Sequence, residues 1–174
     1  MKNKILKISK RTLISIGVLF VFIYVTNEIL YRISIPQEFN KANWNGKWNS
    51  TEYKLVNGKI LTFIPNPIIE NSDFKSKTAL YYNIWSLYKP GQIKIVDMNG
   101  TFRQKNFNGN SMLNQKNAIN RKPLTSFFFK AKISFANGQS IEYTGEKSNK
   151  NPEISGNYIS KFPFDSGSFI INLE

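Results

Sequence analysis

Ser126-Phe127-Phe128-Phe129-Lys130-Ala131-Lys132-Ile133-Ser134-Phe135-Ala136-Asn137-Gly138-Gln139-Ser140-Ile141-Glu142-Tyr143 is the stretch whose reading decides the fold. Phe127, Phe129, Ala131, Ile133 and Phe135 alternate with Ser126, Phe128, Lys130, Lys132 and Ser134. A period of two belongs to a strand with one face in the core and one in water. On the return, Ile141 and Tyr143 have to reach the core face as well. A two-residue Asn137-Gly138 turn pairs Ile141 with solvent-facing Ser134, so parity excludes it. A three-residue loop of Ala136, Asn137 and Gly138, with Gly138 left-handed in a bulge, pairs Ile133 with Ile141 and Ala131 with Tyr143 and puts every apolar residue inside.

The same turn chemistry recurs along the chain. Asn45-Gly46, Asn57-Gly58, Asn99-Gly100, Asn108-Gly109 and Asn137-Gly138 are five Asn-Gly pairs between apolar runs, and both residues tolerate the positive φ of tight hairpins. The pattern predicts an all-β domain, an antiparallel meander closed as a barrel or packed as a sandwich. Further strands are expected over residues 44–55, 59–64, 92–98, 100–107, 153–160 and 168–173. Residues 78–88 read as a strand through Tyr81, Tyr82, Ile84, Trp85 and Tyr88. Leu80, Ile84 and Leu87 also fall at helical spacing, with Asn71, Ser72 or Asp73 as a cap and Pro90 as a stop. Residues 65–77 and 108–123 read as long polar loops.

The N-terminus carries a different signal. Lys2, Lys4, Lys7, Lys10 and Arg11 precede residues 12–25, which hold no charge. Crossing a bilayer takes roughly 20 mostly apolar residues, and extending the helix to Tyr31 supplies that length, with Asn27 and Glu28 at the far interface beside Tyr24 and Tyr31. No small-x-small pair follows for a signal peptidase to read, which favours an uncleaved signal anchor over a cleaved signal peptide. The expected organisation is a basic cytoplasmic tail at 1–11, a transmembrane signal anchor at 12–31 and an extracytoplasmic β domain at 36–174. The positive-inside rule keeps the N-terminus cytoplasmic and makes the anchor's partner membrane lipid.

Composition narrows the chemistry. Neither Cys nor His occurs, which removes thiolate- and imidazole-ligated zinc, Ser-His and Cys-His catalysis and any histidine switch. No spaced acidic cluster suggests a metal site, and no cofactor signature is present. The 24 basic and 11 acidic residues give +13. Beyond the N-terminal flank, the basic residues are scattered singly along strands (Lys94, Arg103, Lys105, Lys130, Lys132), as on solvated strand faces and protected edges. Export removes nucleic acid as a partner.

Gly-x-aromatic recurs at Gly46-Lys47-Trp48, Gly100-Thr101-Phe102, Gly156-Asn157-Tyr158 and Gly167-Ser168-Phe169. Gly46-Lys47-Trp48 on the first strand of a meander resembles the Gly-x-Trp opening of lipocalin-type (calycin) barrels. That resemblance implies a meander barrel with a pocket for a small apolar or lipid-like molecule. The Arg on the last strand and the Thr-Asp-Tyr element that accompany this opening in lipocalins have no counterpart here. Trp44, Trp48, Tyr158 and Phe169 are expected around one barrel end, as candidate ligand contacts or as core.

One catalytic alternative remains, a Ser-Lys hydrolase. An anchor followed by an outer β domain is similar to type I signal peptidases, and residues 89–96 resemble a strand motif of theirs, although Ser111-Met112 follows that strand where the family's nucleophile precedes it. Ser72-Asp73-Phe74-Lys75 matches Ser-x-x-Lys, a pattern short enough to arise by chance. The sequence therefore predicts a membrane-anchored, non-catalytic binding or interaction module. Its partner is a small apolar ligand or an envelope protein, as for an accessory factor or a toxin-immunity protein.

Overall fold

The computed structural model describes residues 2–53, 55–64, 72–104, 126–148, 152–161 and 164–173. Helix α1 (Lys2–Ser34) leads through a 3-10 turn (Gln37–Lys41) into eight strands: β1 (Trp44–Ser50), β2 (Asn57–Thr62), β3 (Asp73–Tyr82), β4 (Ile93–Gln104), β5 (Ser126–Ser134), β6 (Ser140–Ser148), β7 (Glu153–Lys161) and β8 (Phe164–Leu173). Each strand pairs antiparallel with the next, and β1 pairs with β8, so the meander closes as a barrel and not as a sandwich. Closure leaves no free sheet edge among the described strands.

The β5–β6 hairpin has the register that parity demands. Ile133 pairs with Ile141 and Ala131 with Tyr143, Phe135 and Gln139 close the loop through a 2.9 Å backbone hydrogen bond, and Gly138 is left-handed at φ +79. Phe127, Phe129, Ala131 and Ile133 are buried.

The other Asn-Gly pairs behave differently. Asn45-Gly46 lies inside β1, Asn57-Gly58 opens β2, and Asn99-Gly100 lies in the middle of β4, so the two strands expected over 92–98 and 100–107 are one. Asn108-Gly109 lies outside the described residues, as does the whole of the loop expected at 108–123, while the loop expected at 65–77 gives way to β3 from Asp73 on. At position 100 glycine answers a steric demand and not a turn. The Phe74 ring crosses that point, and a Cβ there would come within 2.3 Å of it. The 78–88 segment is strand only as far as Tyr82, because β3 begins at Asp73 and the chain turns from Asn83 to Gly91. Strand β1 likewise stops at Ser50, short of residue 55.

Inside the barrel, Phe74, Phe102, Phe129 and Phe169 stack across the middle, with successive ring centroids 5.4, 5.4 and 5.9 Å apart. Ile60, Met98, Ile154 and Ile171 fill the space around them. A short polar ladder, Thr62 to Ser76 (2.9 Å) and Thr62 to Thr78 (2.8 Å), satisfies the buried hydroxyls of β2 and β3.

Where β2 meets the later half of β3, residues 78–82, the wall is buried on both faces. Outward-facing Leu61 and Ala79 are covered by Tyr31, Ile35, Phe39 and Ala42. Asn27, read from sequence as an interfacial residue, is 1% exposed, because it binds the barrel. Its Nδ2 donates to Asn83 Oδ1 (3.1 Å), while its Oδ1 accepts from the Ile84 backbone N–H (3.0 Å) and the Tyr81 hydroxyl (3.2 Å). Beside it Lys59 Nζ donates to Glu28 Oε2 at 2.6 Å and sits 3.7 Å from the Tyr31 ring centroid. Residues Lys10–Ser34 of α1 are long and apolar enough to cross a membrane, and side chains 10–22 are exposed.

Replacing Asn27 by Leu orphans the buried Asn83 amide oxygen and the Ile84 backbone N–H, each worth about 1–3 kcal/mol when left unpaired, and leaves the Tyr81 hydroxyl only its bond to the residue-27 carbonyl. Asn27→Leu is therefore expected to lower the thermal midpoint of the detergent-solubilised full chain by several degrees. Phe22→Ala, on the free part of the same helix, is expected to leave it unchanged.

Candidate functional site

The barrel has two unlike ends. At one, the connections β1–β2, β3–β4 and β5–β6, with the end of β7 and the start of β8, surround a cavity of about 550 Å³; this is the mouth. At the far end the 3-10 turn enters β1, and Trp44 lies fully buried between Thr62 and Leu173.

Strand parity lines the cavity. Trp48 of β1, Leu80 and Tyr82 of β3, Ile141 and Tyr143 of β6, and Tyr158 of β7 face inward, while Val56, Leu87, Tyr88 and Phe135 close over them from the connections. The rings brace one another: Trp48 lies edge-on to Tyr82 at 5.1 Å and to Tyr158 at 6.1 Å, and Tyr143 lies 5.9 Å from Tyr158 and 5.2 Å from Phe169. Phe169 and the phenylalanine stack below it form a filled floor, so the space is a cup and not a channel. Aromatic rings give a rigid apolar lining whose polar atoms sit at chosen points.

Two polar features mark the cup. Asp165 accepts hydrogen bonds from Ser50 Oγ (2.5 Å) and the Tyr158 hydroxyl (2.9 Å), which joins β1, β7 and β8 on one side of the mouth. On the other, Lys94 stands at the rim with its Nζ 4.8 Å from the Phe135 ring centroid. Its pKa is pushed down to about 8, first by burial and then by the hydrogen bond and charge of Lys89. Tyr82 is pushed up to about 12 by burial, with the Tyr88 and Asp165 charges adding to it. Burial also raises Tyr143 and Tyr158, the latter helped by its hydrogen bond to Asp165. At neutral pH the cup therefore holds neutral phenols, with cations at its lip.

Of the four aromatics expected to share one barrel end, Trp48 and Tyr158 line the cavity, Phe169 lies beneath it, and Trp44 is at the opposite end. Tyr82, Tyr143, Lys94 and Asp165 were not singled out by sequence. Tyr143 was placed on the core face by hairpin parity, which is the one signal that pointed toward it. The indole nitrogens of Trp44 and Trp48 are buried without a hydrogen-bond partner among the described residues. For the Ser-x-x-Lys pattern, Lys75 is exposed on the outer wall, next to inward-facing Phe74. Three positions along an extended chain place Ser72 on the side opposite Lys75. Ser111 lies outside the described residues. Among the described residues no group of three or more acidic side chains is placed to hold a metal ion. No family model, curated protein or solved structure matches the chain.

The shifted groups give stability a defined pH dependence. Between about 8 and the ordinary lysine value of 10.5, the unfolded chain keeps the proton that folded Lys94 has released, so folding becomes more favourable as pH rises through that window. Above pH 10 the sign reverses, because unfolded tyrosines ionise while Tyr82, Tyr143 and Tyr158 stay protonated. Denaturant midpoints measured across this range are expected to rise and then fall. Lys94→Met should flatten the rise, and Tyr143→Phe should soften the fall.

Proposed function

We propose that this protein is a membrane-anchored, non-catalytic binding module that holds a small apolar or lipid-like molecule in the mouth of a lipocalin-like barrel. The observation that carries the reading is the aromatic cup of about 550 Å³, within the size range of small-molecule sites and lined mainly by apolar surface with a few fixed polar groups. The position of Gly46-Lys47-Trp48 supports the likeness to lipocalins. It falls on the first strand of an eight-stranded antiparallel meander barrel, and its Trp48 stands at the wall of the cup.

The polar groups define which end of a ligand goes where. An alkyl chain or ring system fits against Trp48, Leu80, Tyr82 and Ile141, where it exchanges water for rings. An anionic head fits at Lys94 and Lys89, where it neutralises two adjacent ammonium groups. Asp165 is already engaged by two hydroxyl donors and acts as a structural tie.

The anchor reading rests on α1. Its basic start and uncharged continuation support a cytoplasmic N-terminus and an extracytoplasmic barrel. A helix that binds the barrel through Asn27 and covers its wall with Tyr31 and Ile35 is also part of the folded domain, which favours retention over cleavage.

Native mass spectrometry of the full chain released from mild detergent, followed by organic extraction, is expected to recover a fatty acid or glycerolipid. Ile141→Trp, which puts an indole into the cup, should weaken binding of a fluorescent fatty acid by about tenfold or more, with the fold intact by circular dichroism. An empty cup in the wild-type chain, and equal affinity in the variant, would move the reading to a protein-protein module.

A further inference from the structure

Helix α1 crosses the outer wall in one direction. Asn27 sits beside Asn83 and Ile84, just past the mouth end of β3. One turn later Tyr31 packs edge-on to Tyr81 at 5.2 Å, and Ile35, Phe39 and Ala42 follow against Ala79 and Leu61 toward the far end. Traced backwards from Asn27, the helix therefore leaves the barrel at the mouth. The segment from Lys10 to Asn27 spans about 26 Å at 1.5 Å per residue, and its side chains 10–22 are exposed.

The mouth is also where exposed apolar side chains collect. Leu55 is 61%, Leu87 78% and Phe164 62% exposed; the first two stand on the β1–β2 and β3–β4 connections and Phe164 at the start of β8, with Tyr53 and Tyr88 beside them. Leu55 is held at φ +66, a left-handed backbone uncommon for leucine. Lys89, Lys94 and Lys161 occupy the same rim. Apolar tips set between lysines suit a bilayer surface, the tips entering the acyl boundary and the ammonium groups meeting lipid phosphates.

We propose that the mouth rests on the same bilayer that α1 crosses, so that the cup takes an acyl chain directly from that membrane. The inference depends on the ligand-binding reading above and adds the source and the route. A lipid entering this way keeps its phosphate at the surface, level with the Lys89 and Lys94 pair, while one chain turns up between Leu87, Val56 and Phe135 into the cup. No protein carrier and no passage through water are needed.

The chain has no cysteine, so single-cysteine labels report without interference. In the full chain reconstituted into phosphatidylcholine–phosphatidylglycerol vesicles, an environment-sensitive dye at Leu87→Cys or Phe164→Cys should be blue-shifted. Spin-labelled lipid should quench it several-fold more strongly than the same dye at Lys41→Cys, near the far end. Rim dyes as water-exposed as the one at position 41 overturn the inference, even if extracted protein contains lipid. A phosphatidylcholine with a photoreactive acyl chain in the same vesicles should crosslink to peptides holding Val56 or Tyr143, and Ile141→Trp should lose that crosslink while keeping the rim quenching. Crosslinks confined to residues 10–26 with quenched rim dyes overturn uptake into the cup and the ligand reading with it, leaving only the orientation.

Discussion

The side-chain amide of Asn27 has to find partners away from water, and it finds them on the chain that leaves β3. Asn83, Ile84 and Tyr81 together take up its donor and acceptor groups. Asn83 in turn donates to Asn57 at the start of β2, and Asn57 also accepts from the Trp85 indole at 3.0 Å. A buried polar network of this kind has little freedom, because each member that moves strands another without a partner. It fixes the height of α1 along the wall, and the apolar contacts of Tyr31, Ile35 and Phe39 with Leu61 and Ala79 fix its face. The direction in which the rest of the helix points, and so the end of the barrel that an anchor would present to a membrane, follows from these contacts.

Parity made the barrel legible. The β5–β6 hairpin could be read to its loop length and register, because only one pairing puts Ile133, Ile141, Ala131 and Tyr143 on one face. The Asn-Gly pairs misled for a physical reason. A hairpin needs glycine for positive φ, whereas β4 needs it at position 100 for room beside the Phe74 ring, and the dipeptide looks the same in both uses. Sequence spacing also could not separate a residue facing headgroups from one facing a distant strand. Asn27 in an apolar run fits either, and its partners are more than fifty positions away. The cup was legible only in part. Trp48 and Tyr158 follow from inward parity on glycine-preceded strands, while Lys94 and Asp165 enter through the closing of the barrel, which brings β4 and the start of β8 to the same mouth.

The unequal filling of the barrel bears on what the cup can do. Its middle is occupied by four phenylalanines at stacking distance, and its far end by Trp44, Ile64 and the threonine ladder, so additional apolar volume has no place below Phe169. Above that level the large residues are tyrosines and a tryptophan held against one another, and the space between them stays open. Tyrosine suits such a wall, since its ring accepts an alkyl neighbour and its hydroxyl remains protonated, as burial ensures here. The strands that Asp165 ties are those bearing Trp48 and Tyr158, so its role is to hold the shape of the opening.

Anchor length and mouth position are linked on this reading. The stretch between Arg11 and Asn27 is uncharged, and at about 1.5 Å per residue it spans roughly 24 Å, less than the ~30 Å hydrocarbon thickness of a typical bilayer. Asn27 cannot sink further as a free side chain, because it is committed to Asn83 and Ile84. Lys10 and Arg11 can reach headgroups by extending their side chains, which recovers part of the difference at the N-terminal end of the span. The remainder is met by local thinning or by drawing the barrel down, and drawing it down brings Leu55, Leu87 and Phe164 to the acyl boundary. A short span and an apolar rim thus solve the same mismatch: each methylene of the rim that enters lipid favours the position the anchor already imposes.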